Sequence, residues 1–107
     1  MPYEIIFSPE AAEDLQQLKA NIRAIVRAAL QQYLRHQPEQ VSKSRIKSLR
    51  GMAQPQYRLR VDEIRVYYNV GQSTVEILAI VDKQEADAWL NQFGEDDETG
   101  TSFGSKE

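Results

Sequence analysis

Arg58, Arg60 and Arg65 are the residues whose spacing points most directly to chemistry. They alternate with apolar residues in Tyr57-Arg58-Leu59-Arg60-Val61 and again in Ile64-Arg65-Val66-Tyr67-Tyr68-Asn69-Val70, and a period of two sends successive side chains to opposite faces of a strand. Tyr57, Leu59, Val61, Ile64, Val66, Tyr68 and Val70 then share an apolar face. Arg58, Arg60, Arg65, Tyr67 and Asn69 share the other. A two-residue turn at Asp62-Glu63 pairs Val61 with Ile64, which sets Arg60 opposite Arg65 and Arg58 opposite Tyr67. Like charges directly opposite one another destabilise a sheet, by about 0.2–1 kcal/mol. An anion held between them offsets that cost, because the guanidinium fork matches phosphate or carboxylate. Tyr67 adds a ring for cation-π contact or base stacking. The same alternation also serves, more simply, to keep an exposed sheet face soluble.

Most other chemistries lack their residues. The 107 residues contain no cysteine, which excludes a disulfide framework, a thiolate metal site and a cysteine nucleophile. The single histidine, His36, closes a helical segment, where an imidazolium complements the helix dipole. No carboxylate or histidine cluster has metal-ligand spacing and no glycine-rich phosphate loop is present, so neither metal nor cofactor is expected. Trp89 and Phe93, at i and i+4, are expected to pack onto a sheet. Gly51 and Gly71 read as turn residues.

The elements that must position the arginines follow from periodicity. Tyr3 to Phe7 reads as a short strand. Ser8-Pro9-Glu10 has the N-cap, N1 proline and early acid of a helix start. A second helix is expected to be capped by Asn21 and to bury Ile22, Ile25, Val26, Ala29, Leu30, Tyr33 and Leu34, ending before Pro38. From Arg45 the period becomes two, with strands over 45–49, 56–61, 64–70 and 75–81, and residues 83–93 form a last helix. The order β-α-α-β-β-β-β-α predicts an α+β fold, a small antiparallel sheet packed on an N-terminal helical hairpin and covered on one face.

Charge is sorted along the chain. The formal net charge is -3, but Gly94 to Glu107 carries five acids and one lysine, and without it the remainder is +1. Residues 42–68 hold seven basic side chains, among them Lys43, Lys47 and Arg50, against Asp62 and Glu63, a local +5. That suits a surface for a polyanion. Residues 1–93 are therefore expected to be one domain. Residues 94–107 are expected to be an acidic tail too poor in apolar residues to order itself, with Glu95 to Glu98 expected to fold back on the cationic face. Nothing in the first residues resembles an export signal or a membrane span, so a cytoplasmic location is expected.

Lys47-Ser48-Leu49-Arg50-Gly51, the Tyr57–Val61 and Ile64–Tyr68 hairpin, and Val75-Glu76-Ile77-Leu78-Ala79-Ile80-Val81 together resemble the RelE/ParE superfamily of bacterial toxins from type II toxin-antitoxin systems, over residues 3 to about 91. The resemblance implies a toxin that is a ribosome-dependent mRNA endoribonuclease inhibiting translation, bound and silenced by a cognate antitoxin. Its partners would be the antitoxin, the ribosome and mRNA. By position, Arg58, Arg65, Lys83 and Tyr67 become the candidate catalytic residues, and Lys47, Arg60, Arg50 and Trp89 the candidates for holding RNA. Many relatives carry His-Arg or Lys-Arg before a tyrosine-bearing helix. Here Asp82-Lys83-Gln84 and Trp89 stand instead, and tryptophan cannot carry a proton. The alternatives are a ParE-like inhibitor of DNA gyrase without nuclease activity and a degenerate, non-toxic antitoxin-binding module.

Overall fold

The computed structural model describes residues 2–96. Strand β1 (Glu4–Phe7) leads into helix α1 (Pro9–Gln17) through Ser8, whose Oγ accepts from the Ala11 N-H at 3.0 Å. Pro9 follows at the first helical position, where a missing N-H costs nothing. Helix α2 (Ala20–Leu34) starts earlier than the sequence suggested. Lys19, not Asn21, is its N-cap, because the Lys19 carbonyl already accepts from Arg23 N at 2.8 Å. The Arg23 guanidinium reaches back to the carbonyls of Gln16 and Leu18, a cation closing the end of α1. On α2 the residues Val26, Ala29, Leu30 and Leu34 are buried, whereas Ile25, expected in that stripe, is 46% exposed.

The remaining elements are β2 (Ile46–Ser48), β3 (Met52–Gln54), β4 (Tyr57–Val61), β5 (Ile64–Val70), β6 (Thr74–Asp82), a 3-10 turn at Lys83–Glu85, α3 (Ala86–Phe93) and β7 (Glu95–Asp96). Five strands form one sheet in the order β1-β6-β5-β4-β2. The sheet is mixed rather than wholly antiparallel, since β1 lies parallel to β6, with Ile5 beside Val75 and Phe7 beside Ile77. Strands β3 and β7 pair separately and were not foreseen. Glu95 and Asp96 thus belong to the fold and not to a tail beginning at Gly94. Gly94 closes α3 by donating its N-H to the Leu90 carbonyl, and a Cβ there would collide with that oxygen and the Met52 side chain. The rest of the expected tail lies outside the described residues.

The main core sits between the helical hairpin and one sheet face, where Leu59, Val61, Ile64, Val66, Tyr68, Val75 and Ile77 meet Ala11, Leu15, Val26, Leu30 and Leu34. The sheet is covered on its other face too, contrary to expectation. An irregularity opposite Tyr67 and Tyr68 pairs those neighbours with Ala79 and Ile77, so β6 has an extra residue, Leu78, between them. It shifts the alternation, leaving Ile80 in the main core and turning Ala79 and Val81 to the second face. There Tyr67, Ala79 and Ala86 form a smaller cluster with Leu49, Val81, Trp89 and Leu90, and α3 rests on it.

Candidate active site

Cross-strand register builds the site. Lys47 of β2 pairs with Arg58 of β4, Arg58 with Tyr67 of β5, and Tyr67 with Ala79 of β6. In the adjacent row Arg60 pairs with Arg65, as the two-residue turn requires, and Asp62 in that turn adopts a positive φ of 53°. The 3-10 turn then brings Lys83 over this end of the sheet. Its N-H donates to the Glu63 carbonyl at 2.8 Å and its Nζ pairs with Glu63 Oε1 at 3.2 Å. Both side chains of that ion pair are exposed, so it contributes little stability.

Lys47, Arg58, Arg65, Tyr67 and Lys83 line one cavity of about 370 Å³, walled by Leu49, Ala86 and Leu90. Five of the eight candidate residues therefore meet. Arg60, the cross-strand partner of Arg65, is exposed and does not line the cavity, and Arg50 is exposed in the turn before Gly51, whose φ is 79°. Trp89 lies elsewhere. Its ring stacks on Tyr67, with centroids 5.0 Å apart and planes 7° from parallel, and it lines a different cleft with Phe93 and Asp14. Tyr67 is consequently 2% exposed and forms a floor, not the free stacking platform that its place in the sequence suggested.

The electrostatics of the cavity favour an anion. Burial, and then the charge of Arg65, push the Arg58 guanidinium below its ordinary pKa, and its Nε is buried with no hydrogen-bond partner. Arg58 thus carries both a burial penalty and the repulsion of Arg65, and an entering anion relieves both effects. Arg65 Nη1 donates to the Asp62 and Ile64 carbonyls at 2.9 and 3.1 Å, which holds one side of its guanidinium against the turn. Burial raises the Tyr67 hydroxyl, Arg58 opposes that rise, and Asp87 adds to it. Sequence reasoning missed Asp87 and Gln84, which also line the cavity. The signal for Asp87 was available, since it lies one helical turn beyond Lys83.

The model of the ParE toxin of type II toxin-antitoxin systems matches residues 5–87. The chain belongs to that toxin family. Its ParE-family fold is that of solved RelE-like toxins. A chain of the toxin-antitoxin complex RelBE2 from Mycobacterium tuberculosis is 26% identical with a TM-score of 0.58, the match covering 77% of this chain and 99% of that one. A free, arginine-substituted Escherichia coli RelE is 20% identical with a TM-score of 0.62, over 83% of this chain and 92% of that one. The YoeB dimer of Staphylococcus aureus is 23% identical with a TM-score of 0.55, over 72% and 92%. Curated proteins compared by sequence yield no match. The ParE-family chain is thus the toxin component of a type II module, with three α-helices and a mixed five-stranded sheet among the described residues. No helix among the described residues is long and apolar enough to cross a membrane.

Proposed function

We propose that this toxin cleaves messenger RNA on the ribosome, using the cavity between β4, β5 and α3 to hold the scissile phosphate. The observation that carries the reading is the gathering of Lys47, Arg58, Arg65 and Lys83 around one space. In-line attack by a ribose 2′-hydroxyl puts negative charge on the non-bridging oxygens, and fixed cations in a partly dry site stabilise it strongly. Arg58 and Arg65 hold those oxygens. The Lys83 ammonium protonates the leaving 5′-oxygen, Lys47 and Arg60 guide the flanking backbone, and Tyr67 keeps Arg58 in place from below. No metal enters this scheme.

The test is translation-coupled primer extension with purified ribosomes. Arg65→Ala is expected to lower cleavage by a factor of about 100–1000, the usual loss on removing one charge-stabilising donor, while the fold survives. An unaltered cleavage pattern in that variant removes Arg65 from the site. A second reading has an observation of its own. No histidine lines the cavity and Tyr67 is buried under Trp89, which leaves few proton carriers. A gyrase inhibitor needs none, and it predicts growth arrest with DNA breaks trapped and messenger RNA intact. In either case a cognate antitoxin is the expected partner, a reading that toxin-antitoxin complexes among the structural neighbours support. An acidic antitoxin segment over the Arg58 and Arg65 face would neutralise it.

A further inference from the structure

Among the ten residues lining the cationic cavity, Asp87 is the single carboxylate. It occupies the second position of α3, where an acid favours the helix N-terminus. The dipole explains an acid there, but not why this one lines a cavity lined by Lys47 of β2, Arg58 of β4, Arg65 and Tyr67 of β5, and Lys83 just ahead of α3. Asp87 is also close enough to Tyr67 to raise its hydroxyl. RNA cleavage needs a group that accepts the 2′-hydroxyl proton, and the other lining residues do not supply it. Lys47, Lys83, Arg58 and Arg65 are cations that donate, and Gln84 does not titrate. Tyr67 would have to ionise beneath Trp89, against its burial.

We infer that Asp87 is the general base of this toxin, a role that rests on the nuclease reading above. Its carboxylate takes the 2′-hydroxyl proton as O2′ attacks phosphorus. The O2′-P bond forms, the P-O5′ bond breaks with its electron pair leaving on O5′, and Lys83 gives O5′ a proton. The products are a 2′,3′-cyclic phosphate and a 5′-hydroxyl. Solvent returns one proton to Lys83 and removes one from Asp87. When substrate enters, Arg58 and Arg65, which line the same cavity, hold the phosphate beside this carboxylate.

A short synthetic mRNA in a programmed ribosome tests this, made once with oxygen and once with sulfur at the bridging 5′ position of the scissile phosphate. Sulfur leaves without a proton, so it bypasses the acid and not the base. Asp87→Asn should slow single-turnover cleavage by a factor of about 100 or more, the usual scale for general-base loss, at an unchanged half-saturating toxin concentration. Its defect should persist on the sulfur substrate, while that of Lys83→Ala is largely relieved. Asp87→Glu, which keeps the carboxylate, should recover part of the rate. Wild-type cleavage by Asp87→Asn, or its rescue by sulfur, overturns the assignment alone. If the wild-type toxin leaves the oxygen mRNA intact while gyrase is trapped on DNA, the nuclease reading fails and the base falls with it.

Discussion

Tyr67 and Tyr68 are chain neighbours in opposite surroundings, and the difference sets what each can do. Tyr68 points into the main core, stacks on Tyr57 at 5.5 Å and donates its hydroxyl to the Pro38 carbonyl at 2.6 Å. Tyr68→Phe leaves that buried carbonyl unpaired and should cost about 1–3 kcal/mol by urea unfolding. Burial raises the Tyr68 hydroxyl far above its ordinary value. Folding therefore favours the protonated form, and its contribution is complete below the unfolded-chain value near ~10 and is lost as pH rises beyond it. Tyr68→Phe should accordingly show a shallower alkaline decline in stability than the wild type. Tyr67, one residue earlier, faces the cationic side and is shielded by a tryptophan on α3. Alternation separated the two in the sequence; that Tyr67 is closed to solvent as well depended on a helix that begins 19 residues later.

At the level of elements, α1 does more than cover the core. Strand β1 ends at Phe7, and the part of β6 beyond their pairing is tied to α1 and its cap instead. The Ser8 hydroxyl donates to the Leu78 carbonyl at 3.2 Å, and an Asp14 carboxylate oxygen accepts from the Ile80 N-H at 3.0 Å. These bonds flank the irregular stretch of β6 that turns Ala79 towards Tyr67. Ser8→Ala should lose about 0.5–2 kcal/mol with the cap. Asp14→Ala strands the Ile80 amide and should lose about 1–3 kcal/mol, whereas Asp14→Asn keeps an acceptor and should be near neutral; thermal unfolding at pH 7 distinguishes them. The helix start at Ser8-Pro9-Glu10 was legible because a cap is a local arrangement. The start of α2 was not, since Lys19 caps through backbone geometry alone and leaves no side-chain signature.

For the molecule as a whole, a net charge of -3 conceals a cationic sheet face. With Lys47, Arg58, Arg65 and Lys83 each meeting one phosphate, log K for a single-stranded RNA oligomer should fall with log salt at a slope of about -3, given about 0.7 per contact. Fluorescence anisotropy across a salt series measures it, and a flat dependence excludes this face as the binding surface. By itself the sequence determined the α+β class, the β4-β5 hairpin and its register, and the pairing of Arg58 with Tyr67. Those follow from a period of two and a two-residue turn, which are local and leave one arrangement that buries the apolar face. Tertiary structure alone decided that β1 runs parallel to β6, that an extra residue in β6 reverses its alternation, and that α3 buries Tyr67 while bringing Asp87 into the cationic cavity. These depend on contacts between segments far apart in the chain, where burial of apolar surface fixes the docking and no pattern within one segment records it.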